Sequence, residues 1–208
     1  MTDVDPNQPP DLHADTHPSR YFQERLLDDP TDADAWQGLH ISYADMAAEW
    51  REFTDAQTGY AGSVRAGLRH AEPAEWAVEI CCGTGEATPH LVAAVPRVLS
   101  CDLNLPMLTR HAPVPGVLWF AADVRQLPLG TGTVPLIVSL NGVFNPSEIA
   151  RVLRPGGQVL WCTSFREGTP LYVHPDRIHR MLGEARSGEW SAKGEAVGHG
   201  EWSLFTAP

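Results

Sequence analysis

Small and acidic residues stand at the ends of three successive apolar segments of this chain. Gly83 and Gly85 follow the first segment, and glycines at such a turn let a ligand approach the backbone without meeting a Cβ atom. The start of a following helix offers free N–H groups to a carboxylate or phosphate. Asp102 ends the second segment, 17 residues after Gly85, where its carboxylate could accept both hydroxyls of a ribose. Asp123 ends the third, where it could accept the amino group of an adenine, so the pattern indicates a nucleoside-type ligand.

Each of these features also has a purely structural interpretation. A G-x-G turn is commonly no more than a tight turn, and an aspartate at a strand end is often a helix cap. The ligand interpretation is favoured because the three features occur in order, at three successive strand ends.

The elements that must position these residues alternate between strands and helices after Pro73. Strands are predicted over 76–81, 98–102, 117–121, 134–140 and 158–164, with two short ones near 189–193 and 201–206. Helices are predicted over 86–95, 146–153 and 176–185. This alternation predicts an α/β fold with a mostly parallel sheet and helices on both faces. Such a sheet binds its ligand outside the carboxyl ends of its strands.

The N-terminal quarter has a different composition. Residues 1–18 are rich in Pro and Asp, which predicts a disordered acidic tail. Over 19–70 the apolar residues recur at helical spacing, which predicts a helical lid on a core domain of residues 71–208. Its aromatic side chains could line an apolar pocket, although the same spacing is typical of core packing; they are Trp36, Tyr43, Trp50, Phe53 and Tyr60.

Charge and cysteine usage narrow the class of protein. The 208 residues carry a formal charge of −11, and residues 1–55 hold 13 acids against three arginines. The remainder is nearly neutral without a basic cluster, so we expect no nucleic-acid partner. The chain has neither an apolar stretch of membrane-spanning length nor an apolar leader, so we expect a cytoplasmic protein with no membrane partner. No cysteine has the spacing of a metal site, and free thiols in a reducing compartment are expected at Cys81, Cys82, Cys101 and Cys162.

From about Trp76 to Thr206 the chain resembles the class I S-adenosylmethionine-dependent methyltransferases, in the small-molecule group that includes the quinone-biosynthesis enzymes. Residues 79–85 resemble the first motif of that family, with Cys81 at the place of its first glycine. Residues 101–108 resemble the second motif and residues 122–128 the third. Residues 149–157 closely match the segment before the fifth strand. The resemblance implies a Rossmann-like sheet of seven strands and S-adenosylmethionine as the cofactor.

The same resemblance implies a set of cofactor-binding residues. Asp102 would bind the ribose, Leu103 would flank the adenine, and Asp123 with Val124 would contact its edge. Asn141, just after the fourth strand, would lie near the methionine end. The full set comprises Glu79, Cys81, Gly83, Thr84, Gly85, Asp102, Leu103, Asp123, Val124 and Asn141.

The predicted acceptor is a small, partly apolar organic molecule that is methylated on oxygen, nitrogen or carbon. Sulfonium methyl transfer is an in-line displacement that chiefly needs alignment, and a base is needed only if the acceptor must lose a proton. His174 is the candidate base, although it could equally be a loop or capping residue. The candidate acceptor contacts are Tyr43, Trp50, Asn141, Phe144 and Arg166.

Two other functions remain open at this point. The fold and cofactor could serve without methyl transfer, in a cyclase or a partner subunit. An NAD(P)-dependent oxidoreductase is the other alternative, but its fingerprint needs a third glycine where this chain has Thr88.

Overall fold

A sheet of seven strands runs through the part of the chain that the structure describes, residues 17–208 of a computed structural model. The strands are β1 (Ala77–Ile80), β2 (Val98–Asp102), β3 (Val117–Ala121), β4 (Val134–Leu140), β5 (Leu153–Thr163), β6 (Ser191–Val197) and β7 (Gly200–Thr206). Their order across the sheet is β3-β2-β1-β4-β5-β7-β6. The first five are parallel, and β7 is antiparallel to both β5 and β6. The predicted Rossmann-like, mostly parallel α/β fold is therefore confirmed.

Helices cover both faces of this sheet. They are α1 (Pro18–Asp28), α2 (Ala33–Met46), α3 (Trp50–Asp55), α4 (Gly62–Leu68), α5 (Thr88–Val92), α6 (Leu105–Leu108), α7 (Pro146–Val152) and α8 (Pro175–Ala185). Because side chains alternate along a strand, Val78 and Ile80 of β1 enter one apolar core while Ala77 enters the other. The first core packs against α1, α2, α7 and α8, and the second against α4 and α5. No helix among residues 17–208 has the length and apolar character needed to cross a bilayer.

The fifth strand begins five residues before its predicted start. Leu153 already pairs with Val134 of β4, and a register irregularity follows. Gly156 adopts φ +69°, a left-handed conformation that glycine reaches without strain. Its N–H donates to the carbonyl of Ala207, and the N–H of Ala207 donates to the carbonyl of Gly157. The Pro-Gly-Gly segment thus continues the sheet rather than ending a helix in a free turn.

The N-terminal helices begin inside the predicted tail. Residues 1–16 of that tail lie outside the described residues, but α1 starts at Pro18. Its cap is His17, whose Nδ1 accepts the N–H of Ser19 at 3.2 Å. Proline suits the first turn because its missing N–H has no helical partner there. Leu26 and Leu39 are buried in the first core, so α1 and α2 stabilise the domain as well as covering it.

Candidate functional site

A cavity lies at the carboxyl ends of β1, β2, β3 and β4, beneath the N-terminal helices. Including its open mouth, it encloses about 970 Å³, within the range of roughly 300–1,000 Å³ that is usual for ligand sites. We call it the first cavity. It contacts all four predicted strand ends, at Ile80, Asp102, Asp123 and Asn141.

The turn after β1 has the backbone that a close ligand approach requires. Cys81 and Gly83 have φ of +52° and +56°, so the cysteine occupies a conformation that normally favours glycine. Asp102 fixes this turn, because its Oδ2 accepts the N–H of Gly83 at 2.8 Å. Its Oδ1 accepts the N–H of Asn104 at 2.7 Å. Burial raises the pKa of Asp102, against the effect of these two bonds.

Glu79 is buried beneath the same turn. Its Oε2 accepts hydrogen bonds from the hydroxyls of Thr88 at 2.5 Å and Ser100 at 2.7 Å. Burial raises the pKa of Glu79 to about 7; the two hydroxyl bonds oppose the rise, and the nearby Glu86 and Asp102 add to it. Thr88, at the position where a nicotinamide fingerprint has glycine, is therefore the hydroxyl partner of Glu79.

A second cavity adjoins the first on the side of the helices and encloses about 830 Å³ with its mouth. Five aromatic rings form a continuous chain of contacts along it, with centroid separations of 5.7 to 6.4 Å. We call this the aromatic arc; in order it consists of Tyr43, Trp50, Phe53, Tyr60 and Phe165. Four residues line both cavities: Tyr43, Trp50, Tyr60 and Asn141.

The charges of the first cavity discriminate between the candidate cofactors. Among the described residues, its lining has no Lys or Arg and one His, but four acids: Glu79, Glu86, Asp102 and Asp123. Such a lining opposes the two phosphates of a nicotinamide dinucleotide. It suits S-adenosylmethionine, whose methionine end carries a sulfonium and an ammonium group.

Comparisons with known proteins agree with this choice. Residues 77–157 match the family model described as a methyltransferase domain. Residues 77–157 therefore form a class I S-adenosylmethionine-dependent methyltransferase domain. The predicted family is therefore confirmed, and the match does not favour the nicotinamide alternative.

Individual proteins that are similar to this chain are also described as methyltransferases. A demethylmenaquinone methyltransferase of Corynebacterium kroppenstedtii is 35% identical over 122 residues, which are 53% of this chain and 52% of that protein. A malonyl-[acyl-carrier protein] O-methyltransferase of Methylococcus capsulatus is 33% identical over 149 residues, 64% of this chain and 53% of that protein. The chain thus spans about half the length of these curated relatives. A SAM-dependent methyltransferase from Aquifex aeolicus shares the fold, with a TM-score of 0.62 at 14% identity over 77% of this chain and 97% of that one.

Leu103, Asp123 and Val124, the residues predicted to contact an adenine, all line the first cavity of the methyltransferase domain. Asp123 is not a free carboxylate, however, because Arg125 donates to both of its oxygens. Burial acts to raise the pKa of Asp123, but the hydrogen bonds and charge of Arg125 lower it overall. The Arg125 guanidinium also lies 4.7 Å from the ring centroid of Trp36, another lining residue.

Three predicted acceptor or catalytic residues lie outside both cavities. Phe144, predicted as an acceptor contact, is 3% exposed and packs edge-on against Trp161 at 5.1 Å. Arg166 is exposed in a short 3₁₀ helix, residues 166–168, and lines neither cavity. The structure likewise gives no support to His174 as a base: it caps α8 by accepting the N–H of Asp176 at 3.2 Å, with 61% of its side chain exposed.

Two predicted cofactor residues shape the turn without lining the first cavity. Thr84 is buried, and its hydroxyl bonds to Glu86. Gly85 has φ +87° and lies directly against the ring of Trp119. Both shape the turn, and their contact with the cofactor stays a prediction.

Three hydrogen bonds that were not predicted from the sequence join the N-terminal helices to the loops after β1 and β2. Arg51 of α3 donates to the carbonyl of Thr84 at 3.0 Å, and Thr54 donates to Glu86 at 3.4 Å. The side-chain amide of Asn104 donates to the carbonyl of His40 at 2.9 Å. Of these residues, only Asn104 carried a local signal, since it precedes Leu105-Pro106 as a helix cap.

Replacing Arg51 with alanine should loosen α3. The lost bond, from a charged donor that is only half-buried, is worth about 1 kcal/mol. We therefore expect amide hydrogen exchange within residues 50–55 to become roughly fivefold faster. The exposed Arg69, changed to alanine, is the matched control. Equal exchange in both variants would show that the Arg51 bond does not hold the helix.

Glu79→Gln should change how stability depends on pH. A carboxyl whose pKa is about 7 when folded and 4.5 when unfolded holds its proton more tightly in the folded state. Ionisation of Glu79 therefore lowers the free energy of unfolding progressively as pH rises from 4.5 to 7, by up to about 3 kcal/mol in all. Glutamine keeps an oxygen for Thr88 and Ser100 and has no charge.

We expect urea unfolding to show that the free energy of unfolding of Glu79→Gln increases, relative to that of the parent protein, between pH 5 and pH 8. The exposed Glu195, changed to glutamine, should leave the pH profile unaltered. Parallel profiles for the parent protein and Glu79→Gln would contradict a raised pKa at Glu79.

Proposed function

We propose that the chain transfers the methyl group of S-adenosylmethionine to a small organic acceptor held in the second cavity. One observation carries this proposal: the two cavities adjoin and share Tyr43, Trp50, Tyr60 and Asn141. A donor site at the strand ends and an acceptor site beneath the helices would thus meet at one wall.

The residues of the first cavity fit the parts of the cofactor. Each Asp102 oxygen accepts one N–H and keeps a lone pair for a ribose hydroxyl. Leu103 and Val124 offer apolar contacts to an adenine, and Glu86 gives the methionine end a negative neighbour. When bound, S-adenosylmethionine supplies a methyl group that is already activated by a positive sulfur.

The chain's own contribution is to align the acceptor and to exclude water. Alignment of the reacting atoms can supply several kcal/mol of the barrier reduction, on the order of 7–11 kcal/mol in well-oriented systems. The four shared residues form the wall where that alignment would be set. No described lining residue is required as a base by this geometry.

We further propose that residues 19–70 act as the lid and residues 71–208 as the core. The bonds that Arg51 and Thr54 donate to the loop after β1, and the bond that the carbonyl of His40 accepts from the loop after β2, support a closed position of this lid.

The acceptor that these features support is small and partly apolar. The relative named for demethylmenaquinone agrees with such a class, whereas the other is named for a malonyl group on an acyl-carrier protein. The near-neutral composition of residues 56–208 offers no footprint for nucleic acid. Four free cysteines suit a reducing cytoplasm.

Labelled methyl transfer tests the proposal. The protein is incubated with methyl-tritiated S-adenosylmethionine and separate acceptors, namely a reduced naphthoquinone, a phenol, an alkylamine and a malonyl thioester. We expect label in the organic extract and a product that is heavier by one CH₂. Label only in added RNA or protein would exclude the acceptor class. Cofactor binding with a product that lacks the added CH₂ would favour the cyclase or partner-subunit alternative.

A further inference from the structure

Tyr60, Asn141 and Ser164 form a hydrogen-bond network in the wall between the two cavities. The Oδ1 of Asn141 accepts the backbone N–H of Ser164 at 2.8 Å, and this contact fixes which end of the amide carries the hydrogens. The Nδ2 group of Asn141 then donates to the Tyr60 hydroxyl at 2.9 Å and to the Ser164 hydroxyl at 2.8 Å. The Ser164 hydroxyl donates onward to the carbonyl of Tyr60 at 2.8 Å.

One proton of this network has no acceptor. Both Asn141 amide hydrogens and the Ser164 hydroxyl hydrogen are used, and the Tyr60 oxygen acts as an acceptor. The Ser164 hydroxyl also interacts with the phenol, but within residues 17–208 no hydrogen bond of normal length takes the Tyr60 hydroxyl proton. A buried tyrosine hydroxyl normally finds a partner for its proton. Tyr60 lines both cavities, so this proton is available at their junction.

Tyr60 is suited to remain a donor. Its side chain is buried, and burial raises the pKa of the phenol far above neutral pH. Asn141, with φ +55°, is held in a left-handed conformation by the same network, so the tyrosine oxygen has a fixed partner on one side. The donor is therefore oriented before any ligand arrives.

The walls of the second cavity define the rest of the ligand. The aromatic arc offers edges and faces for a flat ring, as aromatic pairs at these separations do. No Lys or Arg among the described residues lines this cavity, and Glu49 is its acid. His17 also lines this cavity, but burial lowers the pKa of its imidazole, so a carboxylate or phosphate on the ligand would have no permanently charged partner there.

We infer that the Tyr60 hydroxyl donates a hydrogen bond to an oxygen carried on the aromatic ring of the methyl acceptor. Tyr60 thereby favours the binding of uncharged aromatic acceptors that carry an oxygen over the binding of hydrocarbons of the same shape. The inference rests on the proposed function, because it takes the second cavity as the acceptor site.

Two matched probes isolate this bond. 2-Methoxynaphthalene and 2-ethylnaphthalene have nearly the same shape, but only the ether has an oxygen that can accept a hydrogen bond. Their dissociation constants are measured by calorimetry with S-adenosylhomocysteine saturating the first cavity. We expect the protein to prefer the ether, and Tyr60→Phe to reduce that preference about tenfold, the effect of one buried hydrogen bond.

Ser164→Ala is the matched control variant. Both substitutions leave one Asn141 N–H without its partner, and Ser164→Ala also removes the bond to the carbonyl of Tyr60, but only Tyr60→Phe removes the phenol proton. We expect the Ser164→Ala variant to keep the preference of the parent protein for the ether. A shared loss in both variants would assign the effect to the network and overturn the inference.

The remaining outcomes of the titrations also test the inference about the Tyr60 hydroxyl. Equal affinity of the parent protein for both probes overturns the inference without any variant, as does binding of neither probe. A loss of S-adenosylhomocysteine affinity in Tyr60→Phe, with the ether preference intact, would assign the proton to the cofactor instead. Failure of S-adenosylhomocysteine to bind the parent protein would overturn the proposed function itself.

Discussion

Asp102→Ala should weaken binding of S-adenosylhomocysteine by about 1.5–3 kcal/mol, or roughly 10- to 150-fold. The carboxylate ends β2 and faces the first cavity, where it can accept ribose hydroxyls. It also holds the N–H groups of Gly83 and Asn104, so its loss releases the glycine turn as well. Both effects act in the same direction on cofactor affinity, which calorimetry measures directly.

The control for this prediction is Asp45→Ala, which makes the same chemical change on the exposed side of α2. It should bind S-adenosylhomocysteine as the parent protein does. Melting temperatures of both variants establish that they are folded at the temperature of titration. An Asp102→Ala variant that is folded and keeps full affinity would refute the ribose assignment.

Gly85→Ala should be strongly destabilising, by about 2–4 kcal/mol. At φ +87° an L-residue is strained by about 1–2 kcal/mol. A Cβ atom at this position would also lie 2.6 Å from the ring of Trp119 and 3.1 Å from the hydroxyl of Thr88. Trp119 cannot withdraw freely, because His111 stacks on it at 4.0 Å. Overpacking of this kind costs about 1–3 kcal/mol in addition.

Gly116→Ala separates the two contributions. Gly116 has nearly the same φ, +83°, but a Cβ atom there would have nothing within 4 Å. Its substitution should therefore cost only the backbone strain, reduced by the lower chain entropy of alanine in the unfolded state. Urea unfolding of both variants measures the difference. If they lose equal stability, the close approach to Trp119 is not what requires glycine at position 85.

Much of the fold could be predicted because its signals are local. β2, β3 and β4 begin and end where their apolar segments do. The helix predicted to begin at residue 146 does so, and Asn145 before it is the cap, whose side chain accepts the N–H of Glu148 at 3.1 Å. The predicted start of β5 is five residues too far along the chain, because the pairing of residues 156 and 157 with Ala207 depends on a distant part of the sequence.

That most of the candidate cofactor residues line one cavity could be predicted for the same reason, since a parallel sheet gathers its strand ends at one edge. The acceptor side could not. Phe144 follows β4 closely, but the left-handed turn at Asn141 redirects the chain and sends that ring into the core. The aromatic arc joins Tyr60 to Phe165, more than a hundred residues away, and no local pattern contains that contact. His174 had a suitable chemistry and position in sequence, but its ring is used to cap α8.

Calorimetric titration of the parent protein tests the central claim most directly, with S-adenosylhomocysteine and NAD⁺ as the two ligands. The methyltransferase domain of residues 77–157 predicts that S-adenosylhomocysteine binds at one molecule per chain, and a first-cavity lining without Lys or Arg among the described residues predicts that NAD⁺ does not. Binding of NAD⁺ without binding of S-adenosylhomocysteine would contradict the account.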